Sequence, residues 1–581
     1  MVNVKNLFGM AVMATALVGC SSNDDITPNG NENAGKVGTA YAKFTIQLPT
    51  VSGTRADDPD KPGTPKFDGG TADEYAVKDA QLLIFEKTDA SKGEGDYKFV
   101  ETVNIGNLEP WTDNTPNTGV TRYTNITAQL KGVSLDNTGD TYFALIILNN
   151  GSQSKVTLPT SGTYSAWNDA KHAKSAADFL NSDNGFYMAN APLYSTGEPT
   201  TLVPIKGVYS TKAEAQNKPA TTVYVERGMA KVTMSSSTFD ADKPVTPSTN
   251  YAGDKVTITN WTLDVLNKST FPVHVTTGLK TDFDAIWTTP RFVATGSTPQ
   301  RVYWGKDPNY DKSTLTTVEE CQKEFYIVDH NGNTYNGDPK STFTWSEKAT
   351  PLYCLENTFD LNNMKQGQTT RVVFKATYTP HNLTGTDKTF FMIGNNTQIW
   401  TKDALEAQIT SKAKEMLKSK TVVVTINTDA PLLKGGSHLL SSADVTIMDG
   451  SVDKTAAFDY ATLNTKLGLN NTETDVTGNP KVGIKTSKNG ECYYIARIKH
   501  FNELTPWASG QAYGSDNEKY LGRYGVLRNN WYELTVSKVS APGYPDVPVV
   551  NPDVPDDEDT KYINVEVKIL DWAKRTQQVE L

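Results

Sequence analysis

Cysteine is scarce: four residues in a chain of 581, too few for a disulfide framework. If Cys20 is used elsewhere, Cys321, Cys354 and Cys492 form an odd set that allows at most one bridge. The six histidines are scattered (172, 274, 330, 381, 438 and 500). No His or Cys pair has metal-ligand spacing, so no metal centre or cofactor is expected. The acidic run Asp556–Asp559 lacks the alternating ligands and glycine of a calcium loop and reads as solvated charge. A basic block is also missing, and the net charge is −10, which disfavours nucleic acid as a partner. There is no Gly-rich phosphate loop, no G-x-S-x-G and no H-E-x-x-H, so the reading is that the chain is not an enzyme. Helical periodicity is nearly absent.

What is present is short, β-prone and rich in turns. TAYAKFTIQLP places Phe44, Ile46 and Leu48 on one face of a first strand, with Tyr41 as a candidate bulge. Val77–Lys87 and Thr141–Asn150 read as buried strands, the second nearly continuous in apolar residues. Thr221–Met234 reads as a strand pair or long strand interrupted at Gly228. The polar patch Asp240–Asp254 is the best domain boundary, followed by Lys255–Asn267, Thr369–Pro380, Thr421–Asn427, Gly490–Phe501 and Gly525–Val539. This density of strands predicts a mainly β protein with two β-sandwich domains, over residues 56–240 and 241–540. One amphipathic helix is expected from Asp403 to Lys418, covering a sandwich face, and a shorter one around Ala170–Asn181.

The termini are distinctive. Residues 1–20 have Lys5, an apolar run Leu7–Val18 too short to span a bilayer, and then Leu17-Val18-Gly19-Cys20. That pattern resembles a bacterial lipobox, in which Cys20 is acylated and anchors the precursor to a membrane; the alternative is an ordinary signal peptide with a chance cysteine. Residues 21–38 read as a polar tether. Beyond Pro49 runs a Gly/Pro-rich segment with one early basic residue. Arg55–Ala56 is either a cleavage site for a trypsin-like, Arg-specific protease or part of a plain surface loop. At the far end, the Pro/Asp-rich run 541–560 reads as an extended linker. It leads to residues 561–581, where Ile563, Val565, Val567 and Ile569 alternate with polar residues. Such a strand can fold back on its own domain or complete the sheet of another molecule.

The block Tyr524-Gly-Val-Leu-Arg528-Asn529-Asn-Trp-Tyr532-Glu-Leu-Thr-Val536, then Gly543, the Pro/Asp spacer and a last strand ending at Asp571-Trp572, resembles the fimbrillins of type V pili, particularly the Mfa type. Val225-Glu226-Arg227-x-x-Ala230-Lys231-Val232 and Tyr353-Cys-Leu-Glu356-Asn357-Thr358 look like recurrent motifs of the same family. The resemblance implies transthyretin-like, Greek-key sandwiches and a stalk subunit of a cell-surface fimbrium. It implies export as an outer-membrane lipoprotein through Cys20, cleavage at Arg55–Ala56, and loss of residues 21–55 with the strand of Phe44, Ile46 and Leu48. The vacated groove then receives Ile563, Val565, Val567, Ile569 and Trp572 from a neighbour. Implied partners are further copies of the chain in a head-to-tail filament, anchor and tip fimbrial proteins, and an Arg-specific protease. The alternatives are an uncleaved anchor, a tip subunit, or a carbohydrate-binding surface lipoprotein.

Overall fold

A computed structural model describes residues 39–49, 70–556, 563–570 and 575–576, apart from loop stretches of which 501–519 is the longest. The chain is mainly β, with few and mostly short helices. In chain order the first half supplies β1 (Ala40–Pro49), β2 (Ala80–Glu86), β3 (Lys98–Asn104), β4 (Val120–Leu130), β5 (Tyr142–Leu148), β6 (Met188–Asn190) and β7 (Thr221–Arg227). These lie in one nine-stranded sheet, in the order β3-β2-β5-β6-β7-β1-β4-(Thr112–Asp113). Phe44 of β1 and Leu82 of β2 share a single core despite the three strands between them, so the sheet curls over on itself. The other faces of β2 and β5 bury Leu83, Phe85, Leu145 and Ile147 in a second core. Their nearly unbroken apolar sequence follows from burial on both faces.

The chain leaves this sheet at Gly228 and enters the next at β8 (Ala230–Met234). Gly228 is therefore the crossing between two sheets, where a strand bulge was expected. A Cβ there would lie 2.5 Å from the Phe179 ring, so only glycine lets the backbone pass. The second half adds β9 (Lys255–Asp264), β10 (Leu352–Cys354), β11 (Arg371–Thr379), α1 (Lys402–Leu417), β12 (Glu491–Arg497), β13 (Trp531–Val539) and β14 (Ile563–Leu570). One sheet runs β10-β8-β13-β14-(Arg575–Thr576), the other (Lys243–Pro244)-β9-β11-β12. Val232 and Leu534 from the first meet Trp261, Phe374 and Tyr494 from the second in a shared core, which makes a β-sandwich.

Three expectations need correcting. Helix α1 forms, capped by Thr401, with Leu405, Ile409 and Ala413 buried, but it does not cover a face of that sandwich. It packs with Val422, Val424, Ile426, Val445, Leu463 and Ile484 in a core drawn wholly from residues 391–484. This segment is an insertion between the adjacent strands β11 and β12. The Ala170–Asn181 stretch breaks into a turn at Ala170–His172 and one helical turn at Ala176–Phe179. Tyr41 is not bulged: it pairs in register with Gln129, and the irregularity falls at Leu48/Pro49. Among the described cysteines, Cys321, Cys354 and Cys492 are buried free thiols.

Candidate functional site

Strand β1 is held on both sides. It runs antiparallel to β4 from Ala40↔Leu130 to Pro49↔Val120 and parallel to β7 from Phe44↔Thr221 to Gln47↔Tyr224. Upstream, Tyr41 and Tyr209 exchange two 2.8 Å backbone bonds. Its alternation does the rest: Ala40, Ala42, Phe44 and Ile46 are fully buried and Leu48 nearly so. On the opposite face the Lys43 ammonium donates to the Gln216 carbonyl and the Thr45 hydroxyl to Asn125. Withdrawing β1 would strip partners from both neighbours and open a slot in the core.

Strand β14 is held differently. It pairs antiparallel with β13 along its length, from Val539↔Ile563 to Trp531↔Leu570, with only the two-residue strand Arg575–Thr576 beyond it. Ile563, Val565, Val567 and Ile569 fall opposite Val539, Val536, Leu534 and Tyr532, which are all buried. In the single chain, then, the terminal strand folds back onto its own sheet. Cys20, Arg55, Ala56 and Trp572 lie outside the described residues.

The linker expected to run free does not do so as far as Asp556. Tyr544 and Tyr493 exchange two 2.8 Å backbone bonds, and Val547 and Val550 are buried. Arg371, itself paired with Asp264 at 2.7 Å, donates to the Pro548 carbonyl. At the end, Arg497 donates to the Asp556 carbonyl at 2.8 Å and Thr369 to its carboxylate at 3.0 Å. Composition alone hid this, because the strap is gripped largely by buried guanidiniums and backbone, with only Val547 and Val550 as apolar anchors.

The three sequence motifs converge at the junction of the two halves. Glu226 sits at the end of β7, Glu356 after β10 and Arg528 before β13. Arg528 donates from two nitrogens to Glu356 Oε1, its Nε at 2.8 Å. Glu226 takes Arg301 at 2.7 Å and the His274 Nδ1 at 3.0 Å. The second His274 nitrogen lies 3.7 Å from Glu356. All five side chains are buried. Burial opposes the charge on Glu226, but Arg301 and His274 outweigh it and hold its pKa at about 2. A second cluster joins Lys231 to Glu74 at 2.7 Å, stacks Lys231 over Trp531, and ties Arg227 to Asn529. Glu74, His274 and Arg301 carried no recognisable motif; an unmatched buried charge at Glu226 and Lys231 was the only pointer to them. These clusters fix one half on the other.

Residues 485–578, spanning β12, β13, the strap and β14, match the family model described as major fimbrial subunit protein type IV, fimbrillin, C-terminal. The C-terminal segment is therefore similar to that of a fimbrillin, which supports a fimbrial subunit. No curated protein matches the chain. Among solved structures, a protein described as a cell adhesion protein from Parabacteroides distasonis aligns at 11% identity and a TM-score of 0.36, covering 92% of this chain and 99% of the other. A fimbrilin from Porphyromonas gingivalis aligns at 11% identity and 0.34, with coverage of 92% and 99%. The tip fimbrial protein Mfa3 from the same species, truncated at its C-terminus, aligns at 11% and 0.28, with coverage of 92% and 100%.

Proposed function

We propose that this chain, with its fimbrillin C-terminal segment, is a structural stalk subunit of a cell-surface fimbrium that polymerises by strand exchange. The observation that carries the reading is the unequal holding of the two terminal strands. β1 is paired on both edges within a core, whereas β14 sits near the end of its sheet with one long partner. Export as a lipoprotein through Cys20, cleavage at Arg55–Ala56 and release of Phe44, Ile46 and Leu48 would leave a slot bounded by β4 and β7. The alternating strand Ile563–Ile569 of a second copy, with Trp572, would regain backbone partners on two sides and restore an apolar face. Donation from one copy to the next does not close, so it gives a filament, contributing to adhesion with anchor and tip proteins.

The test uses the chain from Ser21 onward, treated with an Arg-specific protease. Mass spectrometry should find a new N-terminus at Ala56, and electron microscopy should show filaments that vanish when Lys561–Leu581 is deleted. Monomers after a clean cut, indifferent to that deletion, would turn the reading to a surface-bound binding lipoprotein. An uncut N-terminus would turn it to an anchor.

A further inference from the structure

A cleft of about 880 Å³ lined by both halves of the chain lies away from both terminal strands. Its sides are the turn Gly93–Asp96 and the end of the helical turn at Ser165 on the first half. On the second half they are the segments around Phe283 and Trp304, with Thr358 among the lining residues. The volume falls in the range of ligand sites.

Its lining narrows the ligand class. Each acid at the rim has its own base: Asp282 with Lys306 at 3.8 Å, Asp169 with Lys171 at 3.5 Å, and Asp96 with Lys92 at 4.0 Å; the fourth acid of the lining, Asp307, is buried and takes the side-chain amides of Asn267 and Asn309. The mouth therefore offers paired donors and acceptors but no net field to select an ion of either sign. The lining comes from turns and short helices, with no free strand edge to pair an extended peptide. Phe271 and Phe283 add flat apolar faces. The Thr358 hydroxyl is buried, at 2% residue exposure, and meets no hydrogen-bond partner among the described residues. A buried hydroxyl without a partner is costly to the free protein. At Gly305 a Cβ would fall 2.0 Å from His274, so bare backbone must form that part of the wall. Flat apolar faces beside charge-paired hydrogen-bonding groups match the alternating C–H and O–H surface of a sugar.

We propose that this cleft is a binding site for a neutral oligosaccharide, with the Thr358 hydroxyl as one of its contacts. The proposal stands independently of strand exchange. It is tested with the chain from Ser21 onward on an array of neutral di- to tetrasaccharides, printed beside their sialylated and sulfated counterparts. The best ligand is then titrated by calorimetry against two variants. Thr358→Val removes only the orphaned hydroxyl and should leave the melting temperature unchanged or raised while weakening binding at least fivefold. Gly93→Trp places an indole at the mouth, where a Cβ meets nothing within 4 Å and φ is −79°, and should abolish binding. Retention of neutral glycans with both losses supports the site. No neutral glycan bound, a preference for the anionic series, or full affinity in Gly93→Trp overturns it. Should Thr358→Val fold poorly, Gly93→Trp decides alone.

Discussion

At the scale of single residues, the junction charges give the sharpest expectations. Breaking a buried pair strands the remaining charge, so Glu356→Ala should destabilise the protein by roughly 3–5 kcal/mol, with Arg528→Ala similar. A double-mutant cycle in urea should show strong coupling between them, since two Arg528 nitrogens donate to one Glu356 oxygen. Acid dependence follows from Glu226. Its folded pKa of about 2 lies below the ordinary 4.5, so its contribution is complete above about pH 4.5 and lost as pH falls toward 2. Asp307 has the opposite sign: burial pushes it to about 7 from 3.8, so its contribution is full below about pH 3.8 and lost as pH rises through 7. Together they predict a melting temperature highest between about pH 4 and 5. Asp307→Asn should flatten the fall toward neutral pH, measurable by a thermal scan at each pH. None of this was visible in sequence beyond the motifs themselves. Glu226, Glu356 and Arg528 stood out as letters, but the reason for them is contact across 75 positions between Glu226 and Arg301 and across 172 between Glu356 and Arg528.

Elements were easier to read than their neighbours. The alternation of Phe44, Ile46 and Leu48 and the spacing of Leu405, Ile409 and Ala413 gave strand and helix correctly, because local periodicity records which face is apolar. It does not record what that face meets. Helix α1 closes a core of its own, and two of its polar side chains seal a strand edge. Thr410 accepts from the Val424 amide at 3.0 Å and Glu406 from the Ile426 amide at 2.8 Å. Losing the carboxylate in Glu406→Ala should expose the Ile426 amide and cost about 1–3 kcal/mol, read as an earlier unfolding of this insertion alone. The insertion itself, cut out as Lys388–Ser487, should show a cooperative thermal transition by circular dichroism. For the terminal strand, Thr535 and Glu566 are directly opposed across β13 and β14. A Thr535→Cys/Glu566→Cys disulfide should block filament growth after cleavage, and reduction should restore it.

On the scale of the whole molecule, the mainly β plan was legible because strands and turns alternate so densely. The division of labour between sheets was not. A glycine at 228 reads the same whether a strand bulges or the chain changes sheet; only the crowding of Phe179 decides it. The linker misled for a related reason: proline and aspartate signal poor packing of their own side chains, not what neighbouring arginines do with their carbonyls. The strap's grip at Asp556 has a mechanical meaning. In a filament joined by strand exchange, the chain length between Asp556 and Ile563 would allow a separation of at most about 25 Å. A pull on the donated strand would then enter the body at Asp556, where Arg497 and Thr369 hold it. The load would pass into β12 and the segment leading into β11, in the sheet facing β13, and not peel β13 from its edge.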